Sequence, residues 1–196
     1  MKKHLTRTLP LAVLGVTVML LGGCSKSTSS ETKSDAKERV YTIGMSQCNL
    51  GEPWRVQMNE DIKAAAAKHP NLKVVFKDAQ NDTLKQRAHV EEFVSSKVDL
   101  LIISPKEAQP LTEPVALALA AGVPVIVLDR ALLGDKFTCF IGANNKQIGK
   151  AAGEWVVKVL GGKGNVVELM GLQTSTPGHD RHDGFMEGIA GSEIKI

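Results

Sequence analysis

From Val40 to the last residue the chain alternates between two regimes: short apolar runs, and longer stretches in which apolar side chains recur at helical spacing. Val40 to Ser46 (VYTIGMS) predicts a strand, and Trp54, Met58, Ile62 and Ala65 then predict a helix. Leu72 to Phe76 predicts a second strand, after which Asn81-Asp82 offers a cap and Leu84, Ala88 and Val94 continue a helical stripe. Val98 to Ser104 (VDLLIIS) is a continuous apolar run closed by Pro105, Pro110 to Ala121 is mostly helix former, and Val123 to Leu128 is again uninterrupted. Phe137 to Gly142 predicts a fifth strand; Ile148, Ala152, Trp155, Val156 and Val159 mark a helix ended by Gly161-Gly162. Val166 to Met170 as a strand, Asp180 to Ile189 as a helix and a strand from Ile194 complete the series. Strands apolar on both faces and separated by helices require a parallel sheet covered on both sides, so the expected fold is a doubly wound α/β sheet.

The run GVPVIVLDRALL, Gly122 to Leu133, ends a strand on two opposite charges. In doubly wound sheets ligands bind beyond the carboxyl ends of the strands, where the strand order reverses. Asp129 and Arg130 are therefore candidate ligand groups; a salt bridge that merely caps the strand is the alternative. Glu193-Ile194-Lys195-Ile196 reads as the opening of a strand with no turn or helix after it, so a second sheet is expected to be short of strands.

Of the 196 residues 43% are hydrophobic, enough for one domain with a sizeable core or parts of two. The first residues stand apart. Lys2, Lys3 and Arg7 precede an apolar run from Leu9 to Leu21 that is too short to span a bilayer, and Leu21-Gly22-Gly23-Cys24 follows, the pattern of a secretory signal. The tetrapeptide resembles the lipobox of bacterial lipoproteins, which implies cleavage after residue 23 and lipid attachment at Cys24. Residues 1–23 hold three positive and no negative charges, so without them the net charge falls from +3 to zero. That leaves no one-sided basic field of the kind a nucleic-acid binder needs. Ser25 to Arg39 (SKSTSSETKSDAKER) has no large apolar residue and reads as a solvated tether with a reach of about 50 Å. Cys48 and Cys139 remain, either as a disulfide in an oxidising compartment or as two free, buried thiols.

Other chemistries fit poorly. His179 and His182 have no further ligands spaced for zinc, and their separation puts them on one helix face. Gly44-Met45-Ser46-Gln47-Cys48 lacks the last glycine of a nucleophile elbow, which disfavours an α/β hydrolase. Gly161-Gly162-Lys163-Gly164 precedes a strand, whereas a dinucleotide fingerprint follows one. No cofactor is implied.

Taken together, IGMSQ, DAQND, VDLLIISP, GVPVIVLDR, IGANN and VVELMG followed by DRHDGF resemble the periplasmic sugar-binding proteins of ABC importers, of the ribose-binding and galactofuranose-binding class. The resemblance runs from Val40 to Ile196. It implies two α/β lobes with a sugar held between them: residues 1–23 as lipoprotein signal, 24–39 as tether, 40–143 as the first lobe and 144–196 as part of the second. It implies no catalysis, a monosaccharide ligand, an ABC permease with its ATPase as partner, and a lipid-anchored, extracytoplasmic location. A sugar receptor serving chemotaxis or a sensor kinase is the alternative within the family; a repressor effector domain of the same fold would need an N-terminal helix-turn-helix in place of the signal.

Carried over by position, Asp129 and Arg130 are the chief hydrogen-bonding pair to sugar hydroxyls. Trp54 falls where an aromatic ring covers the sugar's C–H face, with core packing as its alternative, and Arg55 matches the galactofuranose-type branch. Ser46, just before the loop QCNLGEPW, and Glu52 within it are further candidates; that loop is longer than in the ribose type. Ser104 is either a contact at the end of the third strand or a helix cap. In DRHDGF, Arg181 matches a frequent family arginine, and His179, just before that motif, a sugar-contacting position where the ribose type has arginine; surface charge and an exposed loop are their alternatives.

Overall fold

The computed structural model describes residues 39–196. The signal sequence, Cys24 and almost all of the tether lie outside the described residues. Twelve elements follow in the order β1 (Tyr41–Gln47), α1 (Pro53–Ala66), β2 (Leu72–Asp78), α2 (Thr83–Ser95), β3 (Leu100–Ser104), α3 (Ala108–Ala120), β4 (Val125–Leu128), β5 (Cys139–Ile141), α4 (Asn145–Leu160), β6 (Lys163–Asn165), α5 (Thr176–Gly188) and β7 (Glu193–Lys195).

The first five strands form one parallel sheet in the order β2-β1-β3-β4-β5. Strands β3 and β4 are apolar, with one face fully buried and the other partly so, Ile102 and Ile126 being half-buried. Leu101, Ile103, Val125 and Val127 are fully buried, and Val90 and Phe93 of α2 with Leu111, Val115 and Ala118 of α3 close one side. The chain runs outward from β1 to β2, then returns to place β3 on the other flank of β1. The strand order therefore reverses between β1 and β3, and that is where a crevice opens at the carboxyl ends of the strands. Helix boundaries follow local chemistry: the Asp82 carboxylate accepts from the N–H groups of Leu84 and Lys85, Asn144 accepts from Gln147 N–H, and Gly161 ends α4 at a φ of 64°.

Three expectations need correction. Val166 to Met170 is not a strand: β6 lies earlier, at Lys163–Asn165, and pairs only with β7. Val166 N–H still reaches Lys195 O at 2.8 Å, but no partner strand continues the ladder, and Val167 and Leu169 are 90% and 93% exposed. An apolar run becomes a strand only where a sheet receives it. Helix α5 begins at Thr176, ahead of the predicted Asp180, with Pro177 in its first turn where a missing N–H costs nothing. Cys48 is buried and Cys139 exposed, and both are free. Cys139 sits on edge strand β5, whose residues are all exposed, three strand spacings or about 14 Å from β1.

Helices α4 and α5 meet through glycine. A Cβ on Gly149 would overlap the carbonyl oxygen of Arg181, one on Gly184 that of Lys146, and one on Gly188 that of Lys150; one on Gly153 would lie 2.6 Å from Phe185 O. Two pairs of glycines, each a helical turn apart, thus let the backbones touch. Among the described residues no helix is long and apolar enough to cross a membrane.

Gly→Ala in a helix interior ordinarily stabilises by about 1 kcal/mol. At Gly149 and Gly184 the added methyl meets main chain that cannot rotate away, so each substitution should instead destabilise by about 2 kcal/mol in urea unfolding. Gly51→Ala, whose Cβ would meet nothing closer than 3.4 Å, should change stability by no more than about 0.5 kcal/mol.

Candidate functional site

Strand β1 delivers the chain to a short loop, and α1 starts at Pro53 with Arg55 in its first turn. Although a first-turn arginine usually extends into water, Arg55 is fully buried, turned back over the ends of the strands. Its Nη1 donates to Gln47 Oε1 and to Ser104 Oγ, both at 3.0 Å, while Nη2 lies 3.5 Å from Asp129 Oδ2. Glu52 Oε2 approaches Nε to 2.6 Å, an ion contact whose angle is not that of a hydrogen bond. The Trp54 ring covers the guanidinium at 4.1 Å and is itself 45% exposed, so it is not a core residue.

Asp129 follows the last residue of β4 with a φ of 65°. Its N–H continues the ladder to Ile141 O, and Arg130 N–H closes back on Leu128 O, both at 2.8 Å. This is a γ-turn with positive φ at its centre, the strained form. It has a geometric result. Successive residues of a strand point to opposite faces, yet the turn brings Asp129 and Arg130 to the same cavity. Arg130 Nη1 donates to Lys106 O at 3.0 Å, and its Nε lies 3.9 Å from Asp129 Oδ2. Burial pushes the Asp129 carboxyl above its usual range, and outweighs the opposing pull of Arg55, Arg130 and Arg181.

The cavity, of about 580 Å³, is bounded on one side by Trp54, Arg55, Asp129 and Arg130 and on the other by the segment from Glu168 to Leu172 and the start of α5. Its size is that of a small-molecule site. Arg181 of α5 faces it, its Nε donating to Asn145 Oδ1 at 2.9 Å.

Of the predicted residues, Trp54, Arg55, Asp129, Arg130 and Arg181 thus line one cavity. Glu52 and Ser104 stand behind Arg55 rather than in it. Ser46 does not line it: strand alternation directs Gln47 toward Arg55 and Ser46 to the other face, where its Oγ is 3.2 Å from His89 Nδ1. His179 does not line it either. It occupies the neighbouring face of α5 and borders a separate cavity of about 440 Å³ with Glu107, Thr174 and Asp180. His182 is engaged by Glu168, Nδ1 to Oε2 at 2.7 Å, and among the described residues no cluster of His, Cys, Asp or Glu is placed to hold a metal ion. Glu168 also lines the cavity and is not among the residues singled out from the sequence. Its signal is a single carboxylate inside the apolar run VVELM.

The chain belongs to the periplasmic binding protein domain family, whose model matches residues 43–196. It is 30% identical over 186 residues to the ribose import binding protein RbsB of Bacillus subtilis (strain 168), covering 94% of this chain and 60% of that protein. It is 33% identical over 173 residues to the galactofuranose-binding protein YtfQ of Escherichia coli (strain K12), covering 86% and 54%. Among solved structures it superposes with a TM-score of 0.76 and 43% identity on the fructose binding periplasmic domain of a hybrid two component system, covering 80% and 52%. The chain thus spans between about half and three fifths of these proteins.

The strained turn and the raised carboxyl make Asp129 a residue at odds with its own fold. Asp129→Asn removes the desolvated charge, keeps a residue type tolerant of positive φ and leaves Glu52 to pair with Arg55 at 2.6 Å, so the melting temperature without ligand should hold or rise. Asp129→Val should lower stability by about 1–2 kcal/mol, because a β-branched side chain opposes that backbone. Thermal unfolding of the two variants at neutral pH compares them directly.

Proposed function

We propose that the protein is an extracytoplasmic solute-binding lipoprotein that captures a monosaccharide and delivers it to an ABC permease with its ATPase. We read residues 40–143 as its first lobe and 144–196 as part of the second. The single observation that carries the reading is the convergence of Asp129, Arg130, Arg55 and Trp54 at the switch point of the sheet, facing Arg181 across a cavity of sugar-site size. A carboxylate accepts from two adjacent hydroxyls, and guanidinium groups donate in rigid planar forks. The Trp54 ring, backed by Arg55 on one face, offers the other to the apolar C–H side of a sugar. Ser175, the hydroxyl in the lining, donates to Leu172 O rather than to a base, which supports binding over nucleophilic catalysis.

The mechanism follows from differential contact. A sugar resting on the Asp129 side presents its remaining hydroxyls to Arg181 and the start of α5, so a closed arrangement gains bonds that an open one lacks. Only that difference shifts the equilibrium. The likeness to a periplasmic domain of a hybrid two component system favours, as a second reading, a receptor that reports its sugar to a sensor kinase.

In calorimetry of the whole gene product against D-ribose, D-galactose, D-fructose and myo-inositol, one ligand should give saturable heat without being converted. Asp129→Ala should weaken it by about 2 kcal/mol, near thirtyfold. Unchanged affinity removes Asp129 from the site, and turnover of any sugar overturns the non-enzymatic reading. Because the folded carboxyl titrates above the ordinary value of about 3.9, affinity should fall on acidification before an ordinary carboxylate would protonate. The sign is set by the proton, which takes the acceptor away; Asp129→Asn should be weak and insensitive across the same range. For the anchor, Cys24→Ala should move the mature protein from the membrane fraction to the soluble one, and equal partition of both forms refutes lipid attachment.

A further inference from the structure

The two arginines that flank Asp129 are both held by one short segment. Arg55 Nη1 donates to Ser104 Oγ and Arg130 Nη1 to Lys106 O, each at 3.0 Å, with Pro105 between them. What sets this segment lies outside the cavity. Gln86, in the first turn of α2, is fully buried, and its amide is saturated by main chain: Nε2 donates to Ser104 O at 2.9 Å and Ser46 O at 3.4 Å, while Oε1 accepts from Lys106 N–H at 2.9 Å.

We infer that Gln86 is a positioning residue of the binding cleft: its side-chain amide clamps the Ser104–Lys106 segment at both ends and thereby aims the guanidinium groups of Arg55 and Arg130 at Asp129. The chemistry is specific. Ser104 presents an acceptor and Lys106 a donor; Pro105 has no N–H to offer, and a primary amide supplies the complementary pair in one planar group. A carboxylate offers acceptors alone and would face Ser104 O without a proton. Methionine fills nearly the same volume and bonds to neither. Lys106 is held on both sides, its N–H by Gln86 and its C=O, in the next peptide, by Arg130, so a shift of the Lys106 backbone away from Gln86 carries the Arg130 partner with it. A residue serving only to fill the core would lower stability when replaced and leave Arg130 where it is.

The test for cleft geometry needs no ligand. Crystal structures of the full chain and of Gln86→Met should show the Arg130 guanidinium displaced from Lys106 O in the variant, with the sheet intact; an unmoved Arg130 refutes the inference. Where Gln86→Met does not fold, Gln86→Glu at neutral pH takes its place under the same criterion. The second arm rests on the sugar reading and uses whichever of D-ribose, D-fructose and D-galactose binds the unsubstituted protein. Gln86→Glu should bind that sugar about tenfold more weakly at pH 7. The gap to the unsubstituted protein should narrow as pH falls through the carboxyl range, because the protonated acid regains a donor and keeps an acceptor. A gap that does not change with pH counts against the clamp. If none of the three sugars binds the unsubstituted protein, the sugar reading fails, and the crystallographic arm still decides the role of Gln86.

Discussion

Arg55 is a guanidinium taken out of water, and the architecture around it is organised by the need to neutralise that charge. An ion buried without partners would cost far more than a domain's whole stability. The partners come from separate elements: Glu52 from the loop before α1, Gln47 from β1, Ser104 from β3 and Asp129 from the end of β4. Trp54 covers the guanidinium and itself lines the cavity. One buried cation therefore ties together three adjacent strand ends on both flanks of the point where the strand order reverses. The floor of the cleft follows from satisfying it.

That solution strains its own parts. Asp129 accepts a left-handed backbone and a partly desolvated carboxylate, and nearby arginines do not fully offset the burial. Neither feature stabilises the fold. Both make sense for a group that must reach a cavity beside its sequence neighbour, which a regular strand forbids. Beneath the cavity, amides and hydroxyls satisfy the buried polar groups at the strand ends, so the site rests on a hydrogen-bonded polar layer between the apolar core and the opening.

The first sheet was legible because buried parallel strands are apolar on both faces and end at turn formers, as LLIIS and VIVL do. The run VVELM carries the same signature and stays irregular, because pairing depends on a neighbour that composition does not encode. Asp129 and Arg130 stood out as charges ending an apolar run. The burial of Arg55 did not, since it results from contacts among four separated segments. Ser46 and His179 lie away from the cavity for a common reason: a position in a motif does not fix which face a side chain takes, and one step along a strand, or two along a helix, turns it to another layer. Glu168 could have been noticed as a charge isolated among apolar residues, but its partner His182 lies 14 residues on, beyond any local pattern.

The glycine seam between α4 and α5 bears on how the walls of the cleft are made. Arg181 lies on that seam, with its own carbonyl against Gly149. At the glycine contacts main chain rests on main chain, so there this wall of the cleft cannot shift by repacking side chains. The two walls of the cavity are therefore of different kinds, the α5 side set by touching main chain and the opposite side by the side chains of Trp54, Asp129 and Arg130.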